Sequence, residues 1–211
     1  MSAYVRPPLP RQVFRDADGK PFEYGERWGV GGPPEETYSH DSHPERFAPL
    51  HEVADALVEH LVATYDVELR TEPWDRAAER RWQDAARVVG LRPRASEAAP
   101  LTLVYTDYPG LLLEAGELTT FHFPNCGCDA CDEPLAVQVD ELEQHAFAVV
   151  EGRFAEWVRV GAARWEWHWI GLSDGEASGE GRSRMPWPTV WSVRRRLGSL
   201  PDGRWQPWPR R

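Results

Sequence analysis

The sequence predicts an α+β fold, a small antiparallel sheet with about three helices packed on one face. Three observations carry this. Residues 49–64 repeat apolar side chains at helical spacing. Residues 101–123 hold three short apolar runs whose turns suit an antiparallel meander. A long helix-like run then follows a cluster of three cysteines.

Residues 1–41 are rich in Pro and Gly and read as an extended arm. The arm holds one hairpin signal: residues 12–14, the turn Asp16-Ala17-Asp18-Gly19, and residues 21–24. Asp-x-Asp-Gly invites a calcium loop. Pro21 stands where that loop needs glycine and Arg27 where it needs glutamate, so a turn is the reading. Gly29-Val30-Gly31-Gly32 runs into Pro33-Pro34 and not into a helix, which excludes a phosphate loop.

Residues 42–181 read as a single α+β domain. Ser42-x-x-Glu45 is a capping-box pattern, and Pro49 suits the first turn of a helix over 49–64. Leu50, Val53, Ala54, Leu57, Val58 and Leu61 form its apolar face, with Glu52, Asp55 and Glu59 opposite. Residues 67–70 suit a short strand. A second helix is expected over 75–89, with Ala78, Trp82, Ala85, Ala86 and Val89 on one side and Gly90 and Pro93 ending it. A linker over 94–100 leads to strands at 101–107, 111–114 and 118–123. A third helix over 137–158 places Leu142, Ala146, Val149, Val150 and Trp157 on one face. Residues 164–172 alternate like a strand of the same sheet, with Trp165, Trp167 and Trp169 on one side. Residues 173–183 read as a flexible Gly/Ser/Glu loop.

Residues 182–211 form a Trp-rich tail with eight Arg and one acid, Asp202. The whole chain of 211 residues has a formal net charge of -10, so the tail carries +7 and the rest -17. A basic tail docked on an acidic body is the simplest arrangement, with Trp187 and Trp191 in apolar grooves and Arg194–Arg196 on acidic surface. The net negative charge opposes nucleic-acid binding, which needs cationic surface to displace counterions. No apolar run is long enough for a membrane span, and MSAYVRPPLPR has no apolar core of a secretory signal. The cytoplasm is the expected compartment, and a protein the expected class of partner.

The chemistry-bearing stretch is Cys126-Gly127-Cys128-Asp129-Ala130-Cys131, a cysteine knuckle. In a reducing compartment, clustered cysteines suggest metal or redox chemistry before disulfides. Zn²⁺ wants four thiolate or imidazole ligands in a tetrahedron. Cys126, Cys128 and Cys131 supply three, and His122 or His145 the fourth. His122 is preferred because the shorter loop costs less closure entropy. A redox reading of Cys128-x-x-Cys131 at a helix start competes with this, although Asp129, Asp132 and Glu133 oppose thiolate formation. Cysteines that are simply small buried groups are the third reading. His40, His43 and His51, with Asp41 and Glu45, read as surface and capping residues. His168, between indoles, reads as a solvated strand residue.

These features favour a non-catalytic binding or regulatory domain stapled by a structural metal, with zinc expected. The alternatives are a thiol- or metal-dependent enzyme and an acidic, partner-neutralising protein of the immunity type. The run FHFPNCGCDACDE, with YVRPPLPRQVFRDADG and SHPERFAPLHEVADAL, resembles a family of high-GC bacterial proteins known as a domain of unknown function. The resemblance covers most of the chain and implies no activity, cofactor or catalytic residue. It marks the knuckle as a feature of the family.

Overall fold

The structure, a computed structural model, describes residues 3–71, 85–160, 165–172, 176–183 and 187–211. Its centre is a five-stranded antiparallel sheet in the order β3 (Val67–Arg70), β4 (Ala85–Pro93), β5 (Leu101–Thr106), β6 (Leu111–Ala115) and β7 (Thr119–Phe123). Each strand pairs with its neighbour in sequence. The register puts Val89, Leu103, Leu113 and Phe121 in one row across the sheet. Strand alternation sends these side chains to the same face, and all four are buried.

Two helices cover that face. Helix α1 (Pro49–Thr64) and helix α2 (Leu135–Val150) pack on each other, and their apolar stripes join the sheet residues in one core. Leu50, Val53, Leu57 and Leu61 come from α1, and Val139, Leu142, Ala146 and Val149 from α2. The bounds of α1 match the sequence expectation. Its start differs in detail: Pro49 is at the first turn, but the preceding residue, Ala48, makes no side-chain cap. A 3-10 turn over Pro44–Phe47 fills the place of the expected capping box.

The expected second helix is corrected in part. Residues 72–84 lie outside the described residues. Ala85, Ala86 and Val89 belong to β4, hydrogen-bonded to β3 on one side and β5 on the other. Here Val88, Val89 and Leu91 suit a pleated surface, and two flanking ladders outweigh the helix preference of the alanines. An irregularity between Ala85 and Arg87 shifts the register by one residue.

The third helix ends earlier than its periodicity implies. Gly152, at φ 72°, closes α2 with a Schellman arrangement: Arg153 N–H donates to Ala148 O at 2.8 Å and Gly152 N–H to Val149 O at 3.1 Å. Trp157 is therefore not on the helix. It lies on β8 (Phe154–Val160) and is 42% exposed. β8 pairs with β9 (Trp165–Leu172), and β9 with β10 (Glu176–Ser183), as a separate three-stranded antiparallel sheet. Residues 165–172 thus do not join the main sheet, and 176–183 are a strand and not a loop. Residues 173–175 lie outside the described residues. Near the N-terminus, β1 (Phe14–Arg15) and β2 (Pro21–Phe22) form the expected hairpin. Asp16 Oδ1 accepts from the N–H groups of Asp18 and Lys20 in its turn.

The last segment packs differently from the sequence expectation. Helix α3 (Trp187–Gly198) buries Val190, Val193 and Leu197 and packs on β8. Trp187 and Trp191 are 58% and 57% exposed. The indoles that enter the core are Trp205 and Trp208, at 1% and 3%. At helical spacing Trp191 lies nearly opposite Val193, and Trp187 flanks the buried stripe at the first turn of α3. Beyond the helix the chain runs along the body and is hydrogen-bonded to it. Gln206 N–H donates to Glu97 O, Trp208 N–H to Val150 O and Trp208 Nε1–H to Ala99 O. Arg196 approaches an acid, with Nε 3.7 Å from Glu117.

Glu156 on β8 binds these parts together. Its buried carboxylate accepts from Glu117 N–H, Leu118 N–H, Thr119 Oγ1–H and Trp205 Nε1–H, at 2.8 to 3.1 Å. Burial pushes this carboxyl up from its ordinary pKa, and the four donors oppose that shift. Trp205→Ala would leave a cavity and an incompletely paired buried carboxylate. It should cost about 3–5 kcal/mol in chemical denaturation, whereas Trp191→Ala should change stability by less than about 0.5 kcal/mol. Equal costs would contradict the placement of the two indoles.

Candidate metal centre

β7 ends at Phe123, and the chain turns through a cis Phe123–Pro124 bond into the knuckle. Cys126, Cys128 and Cys131 come together with all three Sγ atoms within 4.8 Å of one another. Cys126 Sγ is 3.2 Å from Cys128 Sγ, which is 3.5 Å from Cys131 Sγ. None is in a disulfide. A Zn²⁺ ion with bonds of about 2.3 Å sets its sulfurs about 3.8 Å apart. Small side-chain movements would close these three atoms on one ion, so the group could hold a metal. Among the described residues it is the only such group.

The remaining contacts of the knuckle are largely polar, and the arm supplies most of them. Asp129 is buried. Its Oδ1 accepts from Tyr24 Oη–H at 3.1 Å and Ser42 N–H at 3.3 Å, and its Oδ2 from Ser42 Oγ–H at 2.6 Å. Arg27 Nη1 lies 3.4 Å from Asp129 Oδ1. Arg27 N–H donates to Asp132 Oδ2, and Trp28 Nε1–H to Asp129 O. The backbone adds Asp129 N–H to His40 O at 2.7 Å and Ala130 N–H to Thr37 O at 3.2 Å. Ser42, expected to cap α1, spends its hydroxyl on Asp129 instead.

Arg46 reaches the same place from the other side. It is 1% exposed and donates through Nη2 to Gly127 O at 2.8 Å and through Nη1 to His43 O at 2.9 Å. Its guanidinium lies over the rings of Tyr24 and Phe47, 3.9 and 4.2 Å from their centroids. Asp41 is its near carboxylate, at 3.6 Å. Gly127 allows this packing, because a Cβ there would overlap the Tyr108 hydroxyl.

The thiols differ in their surroundings. Burial would raise Cys128, but the neighbouring thiols and the N–H groups of Cys131 and Ser39 donate to its sulfur, and the net direction is down. Cys131 is pushed up to about 12, first by hydrogen bonding with Cys126 and Cys128, then by burial. Backbone donors aimed at Cys128 Sγ are partners suited to a thiolate. The redox geometry expected from Cys128-x-x-Cys131 is not formed. α2 starts at Leu135, four residues after Cys131, beyond the first turn in which a helix N-terminus lowers a thiol pKa.

His122 is not in the sulfur group. Register places it opposite Leu112, on the face of β7 away from Phe121 and Phe123, and it is exposed. His145 is not in the group either. Its ring lies 4.2 Å from that of Phe121, and its Nδ1 is 2.6 Å from Glu141 O. The three N-terminal histidines are separated. His43 packs among Phe14, Phe22 and Tyr24, His51 Nε2 meets Gly110 O at 2.8 Å, and His40 lies beside the knuckle. Sequence reasoning missed Asp129, Arg46, Tyr24 and Trp28 as parts of this site. Asp129 was visible only as a charge beside the thiols, and its partners lie about a hundred residues away.

Burial would raise the Asp129 carboxyl, but its donors from Ser42 and Tyr24 and the charge of Arg27 outweigh this and hold it below the ordinary carboxylate range. Asp129 therefore contributes stability at neutral pH, lost as the pH falls through that depressed value. Asp129→Asn should cost about 1–3 kcal/mol at neutral pH and flatten the acid limb of the stability–pH curve. An unchanged acid limb would show that this carboxylate does not hold the arm.

No helix of the described residues is long and apolar enough to cross a membrane. No curated protein and no solved structure matches the chain. One family model does, described as a family of unknown function (DUF6226), and it matches residues 10–211. The match takes in most of the arm, the whole knuckle and the tail, and the chain is a member of that family.

Proposed function

We propose that this protein is a non-catalytic binding or regulatory domain whose cysteine knuckle is stapled by one structural Zn²⁺. The observation that carries this reading is the convergence of the Cys126, Cys128 and Cys131 sulfurs to within 4.8 Å, in a loop fastened to the rest of the chain. Three sulfur ligands in near-tetrahedral reach suit zinc over hard cations such as Mg²⁺ or Ca²⁺, which take oxygen. The knuckle buries little apolar side chain of its own, with Ala130 its one buried apolar residue between Cys126 and Cys131. A bound metal supplies the folding free energy such a loop lacks.

The binding half of the reading rests on α3. Its exposed Trp187 and Trp191 lie beside Arg194, whose guanidinium carbon is 5.5 Å from the Trp191 ring. Aromatic and Arg side chains are the ones that anchor protein interfaces. Such a locally basic, aromatic face suits an acidic patch on a protein partner.

Protein purified without added metal should contain about one zinc per chain. A strong chelator should lower the melting temperature, and adding Zn²⁺ should restore it. Metal-free protein whose melting curve is indifferent to both chelator and Zn²⁺ would refute the staple.

A further inference from the structure

Three thiolates leave one corner of a zinc tetrahedron to be filled. We propose that His40 fills it, so that the metal clasps the N-terminal arm to the knuckle; this rests on the zinc reading above. The arm runs along the knuckle on both sides of His40. Ala130 N–H donates to Thr37 O at 3.2 Å. His40 O accepts from the N–H of Asp129, the residue after Cys128, at 2.7 Å. Asp41 Oδ1 lies 3.6 Å from Nη1 of Arg46, whose Nη2 donates to Gly127 O. His40 thus lies in a stretch paired, at Thr37, His40 and Ser42, with the residues between the Cys128 and Cys131 ligands.

Its imidazole is exposed and outside the sulfur group, so binding requires the ring to turn inward from the surface. The other histidines near the knuckle are engaged or face elsewhere. His43 Nδ1 is 3.1 Å from Glu45, His51 meets Gly110 O, His145 lies on Phe121, and His122 is on the outer face of β7. Charge also favours imidazole over the nearby Asp41. On binding, three thiols lose their protons to solvent and the imidazole binds neutral. The centre then carries one net negative charge, which the buried Arg46 guanidinium on Gly127 O offsets. A carboxylate in the fourth place would double that charge.

The test uses the full chain with Co²⁺ as spectroscopic probe and Zn²⁺ in competition. His40→Ala should weaken metal binding at least about 100-fold, more than the roughly 10–100-fold that outer-shell partners contribute. It should also speed amide exchange over residues 24–46. His122→Ala should leave affinity unchanged. His40→Cys should retain the metal and strengthen the sulfur-to-cobalt charge-transfer band. If wild type binds Co²⁺ through thiolates but His40→Ala binds it equally well, the clasp is overturned and the three-sulfur site stands. Loss of metal in His122→Ala overturns the clasp too. If wild type binds neither ion, the zinc reading falls and the clasp with it.

Discussion

The carboxylate of Asp129 is the contact on which the knuckle and the arm both depend. A loop of Asn, Cys, Gly and Asp cannot fold by apolar burial, because it has almost nothing to bury. Its order must come from hydrogen bonds, and Asp129 gathers them from Tyr24 and Ser42, with Arg27 close by. Each donor comes from a segment that lacks regular structure of its own. Pro and Gly keep the arm out of helices and long strands, which leaves its side chains available to the knuckle. Arg46 completes the arrangement by placing a buried cation beside a loop rich in carboxylates and thiols.

A second buried carboxylate plays the same part at the other end of the molecule. Glu156 accepts four hydrogen bonds from the β6–β7 turn, Thr119 and Trp205. The two sites fasten the ends of the chain to its centre, the arm through Asp129 and the last residues through Glu156 and Trp208. Between them, α1, α2 and the five-stranded sheet make the apolar core. The conventional part of the fold needs only that core, whereas the knuckle needs the arm.

Legibility in the sequence followed the range of the interaction. The helix over 49–64 was readable because its stripe repeats within a few residues, and the meander over 101–123 because its turns are local. The end of α2 was legible in principle at Gly152, but an apolar periodicity running on to Trp157 masked it. Strand β4 was not legible, since Ala85 and Ala86 suit a helix and only the ladders to β3 and β5 decide otherwise. The indoles of the tail were countable but not assignable. Trp205 is in the core because Glu156 lies 49 residues earlier to meet its N–H, and no local pattern encodes that. At the candidate site the three cysteines were plain from spacing. The histidine nearest in sequence, His122, was placed on the far face by strand alternation, while His40 arrives beside Cys128 from 88 residues away through pairing of arm and knuckle.

In the proposed centre three sulfurs and one arm imidazole surround a single zinc ion. Zinc X-ray absorption fine structure of the protein as purified tests it most directly. The expected first shell is three sulfurs at about 2.3 Å and one nitrogen at about 2.0–2.1 Å, with the outer-shell scattering of an imidazole ring. A shell of oxygen and nitrogen alone would contradict it.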